Sequence, residues 1–331
     1  MKTLSIKHLI SGGIITNYFC TSSCRHCLYN SSPKWPKDYM DAAAAEKALE
    51  TCRRLGCKSV HIGGGEPFLN FERLKEVLVV ARKTGVSIEY VETNSSWYTS
   101  QARAVSMLKE LKGFGLKTLL VSASPFHLEY IPFKKVTGVV SACREVGIYP
   151  FIWTEAFFRL FLKLNPEKRY SISEAQKVIG KAAFQSALNS YWIHPGGRAA
   201  NSLKGPGFSW REIISANPEG CLELTDTSHF HMDLYGNYVP GLCSGLAIRI
   251  DDLGRPIDAS RYPLLTMLYN KGIGGLLEFA RKRGFEPKEG RYSSKCGLCL
   301  EIRRFLSAMG HWGRELAPGY FYRQFHNDPE I

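Results

Sequence analysis

Three cysteines crowd one short stretch near the start of the chain, Asn17-Tyr-Phe-Cys-Thr-Ser-Ser-Cys-Arg-His-Cys-Leu-Tyr29. Cys20, Cys24 and Cys27 are separated by three and two residues, a spacing at which three thiolates can wrap one inorganic centre. Two chemistries fit. One is a [4Fe-4S] cube held through three irons, with the fourth iron open to an outside ligand. The other is zinc, for which His26 would complete a four-ligand set. A second motif, His61-Ile-Gly-Gly-Gly-Glu-Pro67, follows one strand–helix unit later. Glycines at a strand end let the backbone approach a ligand without an intervening Cβ. Glu66 adds an acceptor suited to an ammonium group.

A second set of thiols lies far along the chain. Cys221 precedes, and Cys243 follows, an alternating stretch His229–Leu234 that runs into Gly236-Asn237 and Tyr238-Val239, the pattern of a β-hairpin. Cys296 and Cys299 form a C-x-x-C at a helix start. Four thiols so placed can close around tetrahedral zinc or a fully ligated [4Fe-4S] cluster. His229 and His231, at alternating strand positions, read as packing or substrate-facing groups. Cys52, Cys57 and Cys143 read as small buried apolar side chains.

The elements that must position these groups alternate. Strands are expected at Ile14–Phe19, Ser59–Ile62, Ser87–Val91, Thr118–Val121, Ile148–Trp153 and Tyr191–His194. Helices are expected at Asp41–Leu55, Glu72–Lys83, Gln101–Leu111, Lys134–Glu145 and Ser173–Ala187, and later at Leu276–Arg283 and Glu301–Met309. Six strands with helical crossovers imply a parallel, curved or barrel-like sheet with its chemistry at the C-terminal strand ends. The stretch 195–221 is rich in Gly, Pro, Ser and Asn and marks a boundary, giving units 1–205 and 206–331.

Composition narrows the classes. The chain has 331 residues, 44% hydrophobic and 22% charged, as a globular protein does. No apolar run approaches the roughly 18 residues of a membrane span. Lys7 and His8 break the apolar start, so a cytoplasmic location is expected. Ten cysteines in that setting favour metal binding over disulfides. A net charge of +13 is compatible with nucleic acid, an acidic substrate or solubility.

Cys20, Cys24 and Cys27 in C-x3-C-x2-C, with Gly64-Gly65-Glu66-Pro67 one unit later, resemble the radical S-adenosylmethionine (radical SAM) superfamily over about residues 14–200. The resemblance implies an α/β fold, a partial (β/α)6 barrel. It implies an enzyme whose open iron binds the amino and carboxylate groups of S-adenosylmethionine, whose sulfonium is reductively cleaved to a 5′-deoxyadenosyl radical that abstracts hydrogen from substrate. His26 stands where the family usually has an aromatic ring, and an imidazole can pack on adenine. Thr93-Asn94-Ser95 resembles a Thr-Asn-Gly stretch with its glycine replaced. Ser122 and Ser124 fall where family members place polar groups near the ribose; local turn capping is the other reading. Arg198 lies in a Gly-Arg-Ala stretch and could pair a carboxylate or bridge two domains. Gly64, Gly65, Glu66 and Asn94 join His26, Ser122, Ser124 and Arg198 as the expected cofactor-binding set.

Cys221, Cys243, Cys296 and Cys299 resemble a Twitch domain, a shortened SPASM domain, over about 218–300. That implies a small α+β C-terminal unit with a second [4Fe-4S] cluster for electron transfer. The implied partners are a small-molecule or peptide substrate and an electron donor such as flavodoxin or ferredoxin, without a membrane. An RNA-modifying radical SAM enzyme and a zinc-dependent nucleic-acid binder are the alternatives, though no basic helix or aromatic sheet motif supports the latter. Only Met1 to Gly13 precede the first strand, so a leader-binding domain would be a separate protein.

Overall fold

The computed structural model describes residues 2–203, 207–290 and 292–327. Short β-rich runs form β1 (Gly12–Ile15), β2 (Ser59–Gly63), β3 (Ser87–Thr93), β4 (Thr118–Ser122) and β5 (Tyr149–Trp153). Beyond them come β6 (Phe230–Asp233), β7 (Asn237–Val239) and β8 (Ile248–Arg249). All eight share one sheet in the order β5-β4-β3-β2-β1-β6-β7-β8. The first six strands of that order pair in parallel, and β7 and β8 are antiparallel.

Amphipathic helices make the crossovers. Ala42–Arg54 starts where the Asp41 side chain accepts the Ala44 N–H at 2.8 Å, the usual remedy for an orphan donor at a helix start. It buries Ala45, Ala48, Leu49 and Cys52, the i, i+3, i+4, i+7 stripe that faces a sheet. Phe71–Thr84 begins on the Asn70 cap and stops at Gly85, whose φ of 72° closes the helix. Gln101–Gly113 and Phe133–Val146 repeat the pattern on the far half of the sheet. Cys52, Cys57 and Cys143 are buried and unpaired with one another, as expected for small apolar groups.

The sixth parallel strand is not where the sequence put it. Tyr191–His194 is irregular, and β6 of the expected hairpin takes that role by pairing with β1, Gly13 opposite His231. The β1–β6 pairing therefore joins residues on either side of the expected boundary, and the boundary itself at 205/206 lies outside the described residues. The expected helix Ser173–Ala187 is two helices, Ile172–Ile179 and Lys181–Asn189, broken at Gly180 with φ 97° and ψ 135°. The first keeps its Ser171–Glu174 capping box. Leu276–Arg283 is the tail of a longer element, Pro263–Arg281, kinked at Gly272.

Asp233 fixes how β6 turns into β7. Fully buried, it accepts the Tyr18 hydroxyl at 2.9 Å, the Asn237 side-chain amide at 3.0 Å, and the backbone N–H groups of Tyr235 and Asn237. Asp233→Ala orphans these donors and is expected to lower the unfolding free energy by about 3 kcal/mol. Equilibrium urea unfolding measures it, and a loss under about 1 kcal/mol would show the turn does not rely on this carboxylate.

Candidate functional site

The first site begins where the backbone of one motif lies on the other. After β1 the chain leaves the sheet early, at Thr16. Gly65 N–H then donates to Asn17 O at 2.8 Å and Glu66 N–H to Phe19 O at 3.1 Å. A Cβ on Gly64 would overlap Asn17 O and one on Gly65 would overlap Phe19 O. The two glycines therefore bring the Gly-Gly-Glu turn against the cysteine loop, and both also face the cavity beside it. Gly64 has φ 130°, a conformation open to glycine.

That cavity holds about 290 Å³ and is lined by Cys20, Cys24 and Cys27 together with His26, Asn94 and Ser122. Cys20 and Cys24 are buried and Cys27 is half-buried. Sulfur-directed donors surround them: Ser22 N–H and the Asn94 side-chain amide to Cys20 at 3.4 and 3.3 Å, and Ser31 N–H to Cys27 at 3.3 Å. Burial pushes the Cys20 thiol up to about 12, with Glu66 adding to the shift. Burial, then the neighbouring Cys20 and Cys27, drives Cys24 far above its ordinary value. Thiols gathered in this way repel as anions and call for a cationic centre; N–H···S contacts are what a thiolate cluster uses to spread its charge. The residues fit an iron–sulfur cluster.

His26 lines the cavity, half-buried and stacked on Phe126 at 4.7 Å, with the edges of His127 and Tyr191 against it. Its Nδ1 has no hydrogen-bond partner. Burial, then His127 and Arg198, holds it well below the ordinary histidine range, hence neutral. A flat neutral ring with one unspent nitrogen suits an adenine-bearing ligand.

Three expected positions act differently from their sequence reading. The Glu66 carboxylate does not line the cavity. It is fully buried and accepts from Phe68 N–H, Asn94 N–H and the Thr93 hydroxyl at 2.7–3.1 Å. Burial raises it to about 7 against those bonds. It is a positioning residue that ties the glycine turn to the end of β3, because the short turn gives its side chain no path outward. Arg198 reaches backbone of the cysteine loop. Its guanidinium donates to Cys24 O at 2.8 Å and Ser31 O at 2.9 Å, while its N–H reaches Cys27 O, so it clamps the cysteine loop. Ser124 is buried against His127 Nδ1 at 2.8 Å rather than facing the cavity. His127 does line it, and Glu129 is the bidentate partner of Arg25.

The second site gathers what the sequence kept apart. Cys221, Cys243, Cys296 and Cys299 line one cavity of about 260 Å³. Burial and mutual repulsion push Cys296 up to about 11 and raise Cys221 and Cys243 further. Lys295 and Arg303 line the same space. Lys295 pairs with Glu223 at 2.5 Å, and Arg303 donates to Ser244 O and the Tyr322 hydroxyl. Sequence reading missed Arg303, although its spacing from Cys296 and Cys299 on the helix Lys295–Ala308 puts all three on one face. The two cavities share a wall made of His194, His229 and Leu242.

Residues 14–167 match the family model described as Radical SAM superfamily. This part of the chain belongs to the radical SAM superfamily. Members of that superfamily are enzymes, and the chain carries their domain. YydG of Bacillus subtilis (strain 168), named as a peptide biosynthesis protein, is 23% identical over 137 residues, 40% of each chain. The matched region thus spans less than half the length of that curated relative. Among solved structures, anSMEcpe with bound AdoMet is similar at TM-score 0.45 and 14% identity, covering 91% of this chain and 100% of that one. BtrN in complex with AdoMet and 2-DOIA is similar at TM-score 0.42 and 16% identity, covering 82% and 91%. Among the described residues no helix is long and apolar enough to cross a membrane.

Gly65→Ala tests the backbone approach. The added methyl meets Phe19 O, which cannot move without moving Cys20. The expected result is a loss of ~1–3 kcal/mol in thermal or urea unfolding, with reduced iron retention. Wild-type stability and iron content in this variant would mean the turn has room to spare.

Proposed function

We propose that this chain is a radical SAM enzyme that holds one [4Fe-4S] cluster on Cys20, Cys24 and Cys27 and a second on Cys221, Cys243, Cys296 and Cys299, and that it abstracts hydrogen from a peptide. The observation that carries the reading is the pair of thiol-lined cavities sharing one wall. When bound, the first cluster supplies the electron that cleaves the sulfonium of S-adenosylmethionine to a 5′-deoxyadenosyl radical.

The chain's own residues do the rest. Gly64 and Gly65 leave backbone free at the cavity wall for the amino acid part of the cofactor, and Asn94 and Ser122 supply polar edges. His26 offers its ring and spare nitrogen to the adenine. Arg198 holds the cysteine loop in register and offsets the charge on Cys24. Buried aromatic walls such as Tyr191 keep water from a reactive intermediate. At the second site four thiols saturate a four-iron cluster, so electron transfer or bracing is its role. Arg303 and Lys295 balance its charge.

Support for a peptide is twofold. The relative YydG is named for peptide biosynthesis. β5 ends the sheet order, and Tyr149, Phe151 and Trp153 are exposed at alternating positions along it, with Trp153 reaching the cavity wall. An open strand edge beside apolar side chains is a surface an extended peptide can extend. A cytoplasmic reductant, flavodoxin or ferredoxin, completes the scheme.

Anaerobically purified protein is expected to hold ~8 iron and ~8 sulfide per chain, and stoichiometric zinc without iron would reject the assignment. Replacing Cys20, Cys24 and Cys27 together by Ala should leave about half of that iron and abolish 5′-deoxyadenosine formation with dithionite. For the substrate, deuterium is expected to enter 5′-deoxyadenosine from a deuterated peptide library. Transfer from free amino acids or nucleosides, and none from peptides, would move the substrate to another class.

Cys299→Ala separates the two sites. It should stop product formation while uncoupled 5′-deoxyadenosine release survives, because the first cluster's ligands are untouched. Chromatographic quantitation of both products decides it. Loss of both with the first cluster intact would mean the sites are coupled more tightly.

A further inference from the structure

Radical chemistry leaves a third cluster of side chains without a task. His61 on β2 and His231 on β6 each stand opposite Gly13 of β1 in register. Gly13 lies between them with no side chain, and a Cβ there would overlap His61 Nε2. The two rings therefore meet across the middle strand, His61 Nε2 to His231 Nε2 at 3.3 Å. His229, two residues before His231 and so on the same face, stacks beside both at 5.0–5.5 Å between centroids. One ring nitrogen from each of the three lies within 4.8 Å of the others.

The hydrogen bonding of this group does not close by itself. Tyr29 OH stands 2.7 Å from the same His231 Nε2 that faces His61. One ring nitrogen thus meets two partners, and His231 Nδ1 has none although it is buried. With the Tyr29 hydroxyl donating to His231 Nε2 and the His61 proton on Nδ1, two imidazole lone pairs face each other. A metal ion between them takes both lone pairs, and the Tyr29 hydroxyl then turns its proton away from His231. A separation of 3.3 Å is the edge of a tetrahedron with metal–nitrogen bonds of about 2.0–2.1 Å. Burial lowers all three histidines and keeps them in the neutral form that ligates metals.

We propose that His61, His229 and His231 bind a divalent transition ion of the zinc class. Three histidines leave one position for an exchangeable ligand, the pattern of an open rather than a structural site. His229 lines both cavities, and Glu92, whose Oε1 is 4.0 Å from His61 Nε2, lines the first. The open position thus serves an oxygen or nitrogen donor of whatever occupies the space beside the cysteine loop. Glu92 reaches this point because Gly63 beside it has no side chain to block it. The site stands independently of the two cluster assignments, since no cysteine contributes to it.

The test titrates cobalt(II) into protein already loaded with both iron–sulfur clusters, follows the difference absorption, and repeats the titration with zinc by elemental analysis. The expected result is one equivalent per chain, with tetrahedral ligand-field bands and no thiolate-to-cobalt charge-transfer band. His229→Gln, at an exposed position, should weaken binding at least ~10-fold with iron content unchanged. His61→Asn should do the same, and circular dichroism confirms its folding. Absence of cobalt uptake in wild-type protein, a thiolate charge-transfer band, or wild-type affinity in His229→Gln would overturn the proposal. Iron and sulfide content of the wild-type protein reads the cluster assignments separately from cobalt uptake, so failure here is distinct from failure of the functional reading.

Discussion

Everything at the first site depends on the approach of two backbones that leave no room for a Cβ. Gly64 and Gly65 lie against Asn17 O and Phe19 O, and the two hydrogen bonds between these segments fix the cysteine loop relative to β2. The Asn17 side chain closes the same junction by donating to both Phe19 O and Glu66 O. Glu66 then carries the constraint to β3 through Thr93 and Asn94, and Asn94 returns it to Cys20. A closed circuit of short contacts thus runs from thiol to glycine turn to strand end and back to thiol. It holds the loop without any residue having to face solvent, which is how three thiols can be kept both gathered and shielded.

The cost of that arrangement is electrostatic. Burial and like charge raise Cys20 and Cys24, and the same terms raise Cys221 and Cys243. Each set has its own cation: Arg198 at the first and Arg303 at the second lower the cysteines beside them. Both arginines donate to backbone carbonyls, Arg198 to Cys24 O and Ser31 O and Arg303 to Ser244 O, so they hold shape and supply charge at once. An arginine suits this double task because its charge stays fixed while its planar group offers several donors.

Much of the fold was legible because local signals there agree with tertiary packing. Asp41, Asn70, Ser100 and Ser171 cap helices that begin within a residue or two of their expected starts. Seven cysteines stood out from spacing as two sets, and the structure gathers them into two cavities. What failed did so for stated reasons. Tyr191–His194 has the residue types of a strand, but its partner position is filled by β6, which arrives from later in the chain; no local pattern encodes which distant strand wins the edge of β1. Gly180 breaks a helix whose apolar stripe runs through it, since its φ of 97° is invisible to periodicity. Glu66 turns inward to Thr93 and Asn94, because sequence does not reveal which backbone groups lie within reach of a short loop. The histidine cluster was missed as a unit because His61 and His231 are joined only through the register of Gly13.

The C-terminal segment explains why two sites far apart in the chain, one ending at Cys27 and the other beginning at Cys221, form one body. Asn30, just past Cys27, donates to Phe321 O at 3.1 Å, and Ser32 to the Gln324 side chain at 2.8 Å. Tyr322 meanwhile donates to Gly245 O and accepts from Arg303 beside the second set of thiols. Neighbouring residues of one short helix thus touch the first cysteine loop on one side and the second site on the other. Glu315, buried at the start of the helix Pro263–Arg281, anchors the approach by accepting the Leu264 and Leu265 N–H groups. The aromatic tail is therefore a clasp. Its removal would free the cysteine loop from the far side, while the glycine junction on the near side stayed intact. Geometry at the first site is thereby conditional on the helix Gly319–Arg323 as well as on the glycine junction.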